Sequence, residues 1–128
     1  MKFLFDTHLL LWTVARSRML SAEARSLIAD PLNQLFFSVV SVWETAIKFS
    51  QGRLEFNLPP HELRESLLAS GYHELSILGT HANAVVGLPH IHKDPFDRLL
   101  IAQAIVEGIT LLTADATIAR YPGPIRKV

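Results

Sequence analysis

The order of apolar segments along the chain is the feature that most restricts its fold. Short apolar runs of strand length recur, and segments with helical periodicity lie between them. The strand-length runs are KFLF at 2–5, LFFSVV at 35–40, YHELSIL at 72–78, ITLLTA at 109–114 and PIRKV at 124–128. Strands separated by helices require right-handed crossovers. The pattern therefore predicts an α/β domain with a mostly parallel sheet of about five short strands and helices on both faces.

The segments between these runs carry signals for helix ends. Ser41 and Glu44 have the spacing of a capping box, which predicts a helix that begins at Ser41 and closes at Gly52. The segment 95–108 is apolar almost all round, so we expect a buried helix there. Residues 88–95, LPHIHKDP, fit neither period and are predicted to form a loop. Further helices are expected in HLLLWTVA, SAEARSLIAD, HELRESLLASG and THANAVVG.

Length and composition exclude several classes of protein. A chain of 128 residues is the size of one domain, which we place at 1–128. A hydrophobic content of 49% excludes a disordered chain, and a net charge of zero excludes binding of nucleic acid or membrane by bulk positive charge. No apolar run approaches the roughly 18 to 20 residues of a membrane span. The absence of cysteine fits a reducing compartment, so we expect a cytoplasmic protein.

Four carboxylates stand either at the end of a predicted strand or in the first turn of a predicted helix. They are Asp6, Glu44, Asp97 and Asp115. Helix capping accounts for each of them taken alone. Taken together they are expected to converge, because the carboxyl ends of parallel strands lie along one edge of the sheet, where ligands bind.

Several carboxylates at one place repel each other, so such a cluster either takes up protons or holds cations. Oxygen ligands without cysteine suit Mg²⁺, or alternatively Mn²⁺, each completed by waters and a substrate phosphate. The chemistry that follows is metal-assisted hydrolysis of a phosphodiester. The sequence therefore predicts a divalent-metal site at the carboxyl edge of the sheet.

Four strings resemble, in order, the successive motifs of PIN-domain ribonucleases. They are FDTHLLLW, SVWETAIKFSQGRL, LPHIHKDPFDRLLIAQA and TLLTADATIARY. The resemblance is closest to the VapC-type toxins of toxin–antitoxin pairs, and it spans Phe3 to about Tyr121. It implies a PIN-like three-layer fold and a Mg²⁺-dependent endoribonuclease that uses the four acids matched to the family's motifs. It also implies a homodimer, and a small antitoxin whose segment lies in a groove of the toxin and blocks the site.

Supporting roles are expected for residues near the four acids. Thr7 and Thr113 are candidates for hydroxyls that orient a carboxylate. Pro95 suits the first position of a helix, which makes Asp94 the helix N-cap and turns Asp97 towards the sheet edge. Candidate cations for RNA phosphates are Lys48, Arg53, Lys93 and Arg98. The pair His90 and His92 has the spacing of metal ligands, but a solvated loop is the favoured interpretation.

Two other functions are compatible with an acidic pocket. A receiver-like signalling module also places carboxylates around Mg²⁺, but it needs a lysine after a late strand, where this chain has Ala, Thr and Ile. A non-catalytic interaction domain would use the acids only as caps, and it gives no reason for all four matched positions. The sequence does not specify which RNA would be cut.

Overall fold

The computed structural model describes residues 1–128, and it contains five strands and six α-helices. In chain order they are β1 (Lys2–Phe5), α1 (Thr7–Ala15), α2 (Ala22–Ala29), β2 (Gln34–Ser38), α3 (Val39–Ser50), α4 (Pro60–Ala69), β3 (His73–Leu75), α5 (Gly79–Ala84), α6 (Pro95–Glu107), β4 (Thr110–Thr113) and β5 (Ile125–Lys127). Short 3₁₀ turns occupy Leu54–Phe56, Val85–Gly87 and Ile118–Arg120. No helix is both long enough and apolar enough to cross a membrane.

The five strands form one sheet in the order β3-β2-β1-β4-β5, and every neighbouring pair is parallel. The prediction of a five-stranded parallel sheet is confirmed. The chain builds outwards from β1 to β3 on one side, then crosses over and continues through β4 and β5 on the other. A reversal of strand order of this kind opens a crevice at the carboxyl edge of the sheet.

Each face of the sheet has its own apolar core, because side chains alternate along a strand. In β1, Phe3 and Phe5 pack on one face, where they meet residues of α1, α2 and α4. Leu4 packs on the other face, against Leu100 and Ile101 of α6. The three-layer arrangement is thus confirmed, with helices covering both sides of a thin buried sheet.

Two predicted boundaries are wrong. α3 begins at Val39 rather than at Ser41, because the hydroxyl of Ser38 accepts a hydrogen bond from the Val40 amide at 3.0 Å and caps the helix. Ser41 and Glu44 therefore lie inside α3 and form no capping box. The strand predicted over 72–78 is only His73–Leu75.

Candidate functional site

A cavity of about 340 Å³ opens at the carboxyl edge of the sheet, beside the crossover between β1 and β4. All four predicted acids line it, and Asp94 joins them. The cavity wall is completed by His8, Trp12, Lys48, His92, Ala114 and Ile118. The structure thus brings together four segments that are far apart in the sequence.

Asp6 is the N-cap of α1 and follows β1 directly, so both its position and its burial are set by the central strand. Its Oδ1 accepts a hydrogen bond from the Leu9 amide at 2.9 Å, and its Oδ2 accepts one from the Thr113 hydroxyl. The residue is only 3% exposed. Burial raises the pKa of the Asp6 carboxyl above its ordinary value, although both hydrogen bonds oppose that rise.

Glu44 lies on α3 with its carboxylate turned towards α1. Its Oε1 accepts a hydrogen bond from Thr7 at 2.6 Å, and its Oε2 lies 2.5 Å from the ammonium of Lys48. Thr7 also contacts the hydroxyl of Ser41 at 2.9 Å. At 2% exposure Glu44 is as deeply buried as Asp6, and Lys48, one turn further along α3, is its counter-ion.

Asp97 lies in the first turn of α6, three residues after the N-cap Asp94. Asp94 Oδ1 accepts hydrogen bonds from the Phe96 amide at 2.8 Å and from the Asp97 amide at 3.1 Å, which confirms the predicted cap. Burial raises the pKa of Asp97 to about 7, and the charges of Asp94, Glu44 and Asp6 add to the rise. The Asp97 carboxylate therefore carries the repulsion of three neighbouring acids in addition to the cost of burial.

Asp115 follows β4 and is the one exposed member of the four acids. Its Oδ1 accepts a hydrogen bond from the Thr117 amide at 2.7 Å, which leaves Oδ2 without a protein partner. The Asp115 amide donates to the Thr113 hydroxyl at 2.9 Å, and that hydroxyl donates in turn to Asp6. Thr113 thus connects the acids that follow β1 and β4.

The four basic residues predicted to meet RNA have different surroundings. Arg53 and Lys93 are exposed, whereas Lys48 lines the cavity and is paired with Glu44. Arg98 is only 9% exposed and donates to the carbonyl oxygens of Pro89 and Val85. The prediction of an RNA contact is therefore wrong for Arg98, because its guanidinium is turned into the protein.

The sequence interpretation missed His92, which it assigned to a solvated loop. His92 lines the cavity, and its Nε2 lies 2.9 Å from Asp97 Oδ2. Its neighbour in the motif, His90, is exposed as expected. The place of His92 in the sequence could have indicated this contact, because a loop that leads directly into the N-terminus of α6 lies close to the first turn of that helix.

The donor set of the cavity suits a hard divalent cation. Carboxylate oxygens dominate this donor set, and the chain contains no cysteine. Lys48 is the only lysine or arginine that lines the cavity. The imidazole of His92 and the carboxylates of Asp94 and Asp97 each have a potential ligand atom within 4.8 Å of the others, whereas Asp6, Glu44 and Asp115 line the same cavity outside this group. Burial raises the pKa of both Asp6 and Asp97, so their charged forms are disfavoured in the metal-free chain.

Sequence comparison places the chain in a known group. The family model described as the PIN domain matches residues 3–124. Ribonuclease VapC22 of Mycobacterium tuberculosis (strain ATCC 25618 / H37Rv) is 30% identical over 125 residues, which make up 95% of this chain and 95% of that protein.

Solved structures share the fold at lower sequence identity. VapBC2 from Rickettsia felis, bound to a DNA fragment from its promoter, superposes with a TM-score of 0.75 at 14% identity, over 100% of this chain and 99% of that one. DNA-bound VapBC from Salmonella typhimurium gives a TM-score of 0.68 at 16% identity, over 99% and 98% of the two chains. These likenesses establish the architecture alone.

Proposed function

This chain belongs to the PIN-domain family, and on that premise we propose that it is a metal-dependent endoribonuclease that hydrolyses RNA phosphodiester bonds. One observation carries the proposal: the carboxylates of Asp6, Glu44, Asp97 and Asp115 line a single cavity at the carboxyl edge of the sheet. The name of VapC22, a ribonuclease at 30% identity, supports the same reaction.

The four acids are the residues that would hold Mg²⁺, with Mn²⁺ as the alternative. When bound, such a cation supplies a Lewis acid that activates water and offsets charge on the phosphate. The chain itself supplies the orientation of the ligands. Thr7 fixes Glu44, and Thr113 fixes Asp6 relative to Asp115. Because these hydroxyls are buried, the carboxylates are held in place before any cation arrives.

Exposed cations at the rim would receive the RNA backbone, since a neutral protein must attract a polyanion locally. Arg53 and Lys93 are exposed and available for this role. Lys48 lies inside the cavity, and its ammonium could bind a phosphate only after its ion pair with Glu44 is broken.

We further propose that the protein is a VapC-type toxin of the cytoplasm, neutralised by a cognate antitoxin and active as a homodimer. The shared fold with the VapBC structures from Rickettsia felis and Salmonella typhimurium supports an antitoxin partner. Apolar side chains that remain exposed on one chain, including Val86 at 89% and Leu54 at 91%, fit the burial of further surface in an assembly.

The test of the enzymatic proposal is cleavage of a structured RNA by the purified chain, with and without Mg²⁺. We expect cleavage that stops on chelation and returns with Mg²⁺ or Mn²⁺. Glu44→Gln should lower the rate at least about 100-fold, because it removes a charged ligand from the site. Glu62→Gln, an exposed substitution of the same type on α4, should leave it unchanged. Equal cleavage by both variants would refute the four-acid site.

A further inference from the structure

The loop that carries His92 is held in place by the helix that carries Asp97. Residues 88–94 connect the 3₁₀ turn at Val85–Gly87 to α6 without regular structure. The next residue of α6 after Asp97 is Arg98, and its guanidinium reaches back under this loop. It donates to the Pro89 carbonyl at 2.8 Å and to the Val85 carbonyl at 3.3 Å.

Arg98 has no carboxylate partner among its hydrogen bonds, although it is a buried cation. Its bonds go to backbone carbonyls and to the hydroxyl of Tyr121, which lies 3.2 Å away. A buried charge is costly unless its hydrogen bonds are satisfied. The carbonyls and the hydroxyl that satisfy this guanidinium are therefore held firmly in place, because hydrogen bonds to a charged donor are strong. Arg98 therefore fixes the backbone conformation of the loop and does not neutralise a neighbouring acid.

Tyr121 completes the contact between the loop and the rest of the fold. Its hydroxyl accepts a hydrogen bond from the His92 amide at 2.7 Å and lies 3.3 Å from the His92 carbonyl. Tyr121 is 4% exposed and packs in the core on the α6 face of the sheet. Both polar backbone groups of His92 thus meet one buried hydroxyl, which Arg98 also contacts.

The side chain of His92 then reaches Asp97. The bond from His92 Nε2 to Asp97 Oδ2, at 2.9 Å, is the one side-chain hydrogen bond made by the Asp97 carboxylate. Asp97 shares the cavity with Asp94, Glu44 and Asp6, whose charges repel its carboxylate. The bond to His92 fixes the orientation of that carboxylate through Oδ2, and Oδ1 accepts no hydrogen bond from the protein.

We propose that His92 is a positioning residue for Asp97, and that Arg98 and Tyr121 act on the site by holding His92. This inference rests on the proposed function, since it assigns His92 a part in the same metal site. In this role the imidazole of His92 donates to the Asp97 carboxylate and is not a metal ligand.

The first test compares His92→Ala and His92→Gln with the control His90→Ala in the same loop. Mg²⁺ and Mn²⁺ affinities of the metal-free protein are measured by calorimetry, and RNA cleavage is measured in parallel. Loss of a residue that orients a ligand costs about 10- to 100-fold in metal affinity or activity. We expect His92→Ala to weaken both metals by that factor. His92→Gln retains an N–H donor at similar reach and should recover most of the loss, while His90→Ala should match the wild type.

The second test asks whether Tyr121 acts through His92. Tyr121→Phe should weaken metal binding about fivefold in the wild-type background and cause no further loss in the His92→Ala background, because the interaction it supports is then absent. The control is Tyr72→Phe, which removes a buried hydroxyl that has no hydrogen-bond partner and should change neither measurement. Equal losses from Tyr121→Phe in both backgrounds would overturn the inference.

The outcomes also separate this inference from the proposed function. Weaker Mn²⁺ binding with unchanged Mg²⁺ binding in His92→Ala would make His92 a ligand and overturn the positioning role. The positioning role is also overturned if the wild type binds no metal, or if His92→Ala binds metal and cleaves RNA like the wild type. Metal binding that depends on His92 in a protein that cleaves no RNA would support the inference and refute the nuclease proposal.

Discussion

The replacement of Asp97 by Asn, set against the same replacement at Asp94, tests the assignment of two acids that stand three residues apart. Asp94 Oδ1 is occupied by two backbone amides at the start of α6. Asp97 faces the cavity, and its carboxylate bears the repulsion of Asp94, Glu44 and Asp6. The two substitutions are chemically identical, yet we expect opposite results from them.

The expected stability change of the metal-free protein follows from the pKa of Asp97. A rise from 3.8 to about 7 means that the folded state holds a proton which the unfolded state has already lost. The contribution of this carboxyl to stability is therefore largest below pH 3.8 and falls as the pH rises to about 7, by roughly 4 kcal/mol at about 1.4 kcal/mol per pH unit. Asn cannot ionise, so the Asp97→Asn variant does not lose this stability as the pH rises.

At pH 8 Asp97→Asn should therefore stabilise the metal-free protein by about 2 to 3 kcal/mol, since the weakened bond to His92 offsets about 1 to 2 kcal/mol. At pH 4 the gain should vanish, and the weakened bond to His92 should leave the variant slightly less stable than the wild type. Cleavage should be abolished at either pH, because a charged ligand is lost.

Asp94→Asn should behave differently on every measure. Asn caps a helix about as well as Asp, so the change in stability should stay below roughly 1 kcal/mol. Cleavage should stay within about tenfold of the wild type. The substitution also removes a charge that raises the pKa of Asp97, so the loss of stability with rising pH should end at a lower pH and be smaller.

The assay is urea unfolding of both variants and the wild type in the presence of a chelator, at pH 4 and pH 8, with RNA cleavage in Mg²⁺. An inactive Asp94→Asn beside an active Asp97→Asn would show that the helix start, and with it the site, is wrongly assigned. If Asp97→Asn and the wild type differed in stability by the same amount at pH 4 and at pH 8, the raised pKa of Asp97 would be refuted.

Three further predictions test the chemistry, the assembly and the hydroxyl that joins two acids. Cleavage should leave 5′-phosphate and 3′-hydroxyl ends, because water and not the ribose 2′-OH attacks; a 2′,3′-cyclic phosphate detected by mass spectrometry would contradict this. Light scattering at micromolar concentration should give the mass of a dimer, and a monomeric mass would count against that part of the proposal. Thr113→Val should lower cleavage at least about tenfold by releasing Asp6 from Asp115, whereas Thr45→Val, which removes a buried hydroxyl without a partner, should not.

The sequence was sufficient to predict the features that are set by neighbouring residues or by the order of the strands. Period and spacing located all five strands, and parallel topology then required the acids that follow β1 and β4 to share an edge. The cap at Asp94 was likewise predictable, because Pro95 fixes the first position of α6. Each of these inferences uses residues close together in the chain or a rule of sheet topology.

The errors concern choices that tertiary packing decides. Ser38 and Ser41 are both good caps, and the valines between them suit a strand, so the sequence alone does not choose between them. In the structure the chain becomes helical directly after β2, with Ser38 as the cap and Val40 buried in the core on the α6 face of the sheet. His92 and Arg98 were misassigned for a similar reason: the fold of an irregular loop over a helix terminus follows from bonds between remote groups.

The helices that carry the acids keep the unfavourable arrangement in place. A carboxylate with a raised pKa would gain by moving into water, but Asp6 caps α1 and Asp97 lies in the first turn of α6, and the next turns of both helices are anchored in the two cores. Leu9 and Leu10 follow Asp6, and Leu100 and Ile101 follow Asp97, all at most 1% exposed. Moving either acid outwards would pull apolar side chains from the core at about 25 cal/mol per Å². A cation that neutralised the cluster would need no such movement, so the free energy held in the burial and repulsion of these carboxylates would become available for the proposed metal binding.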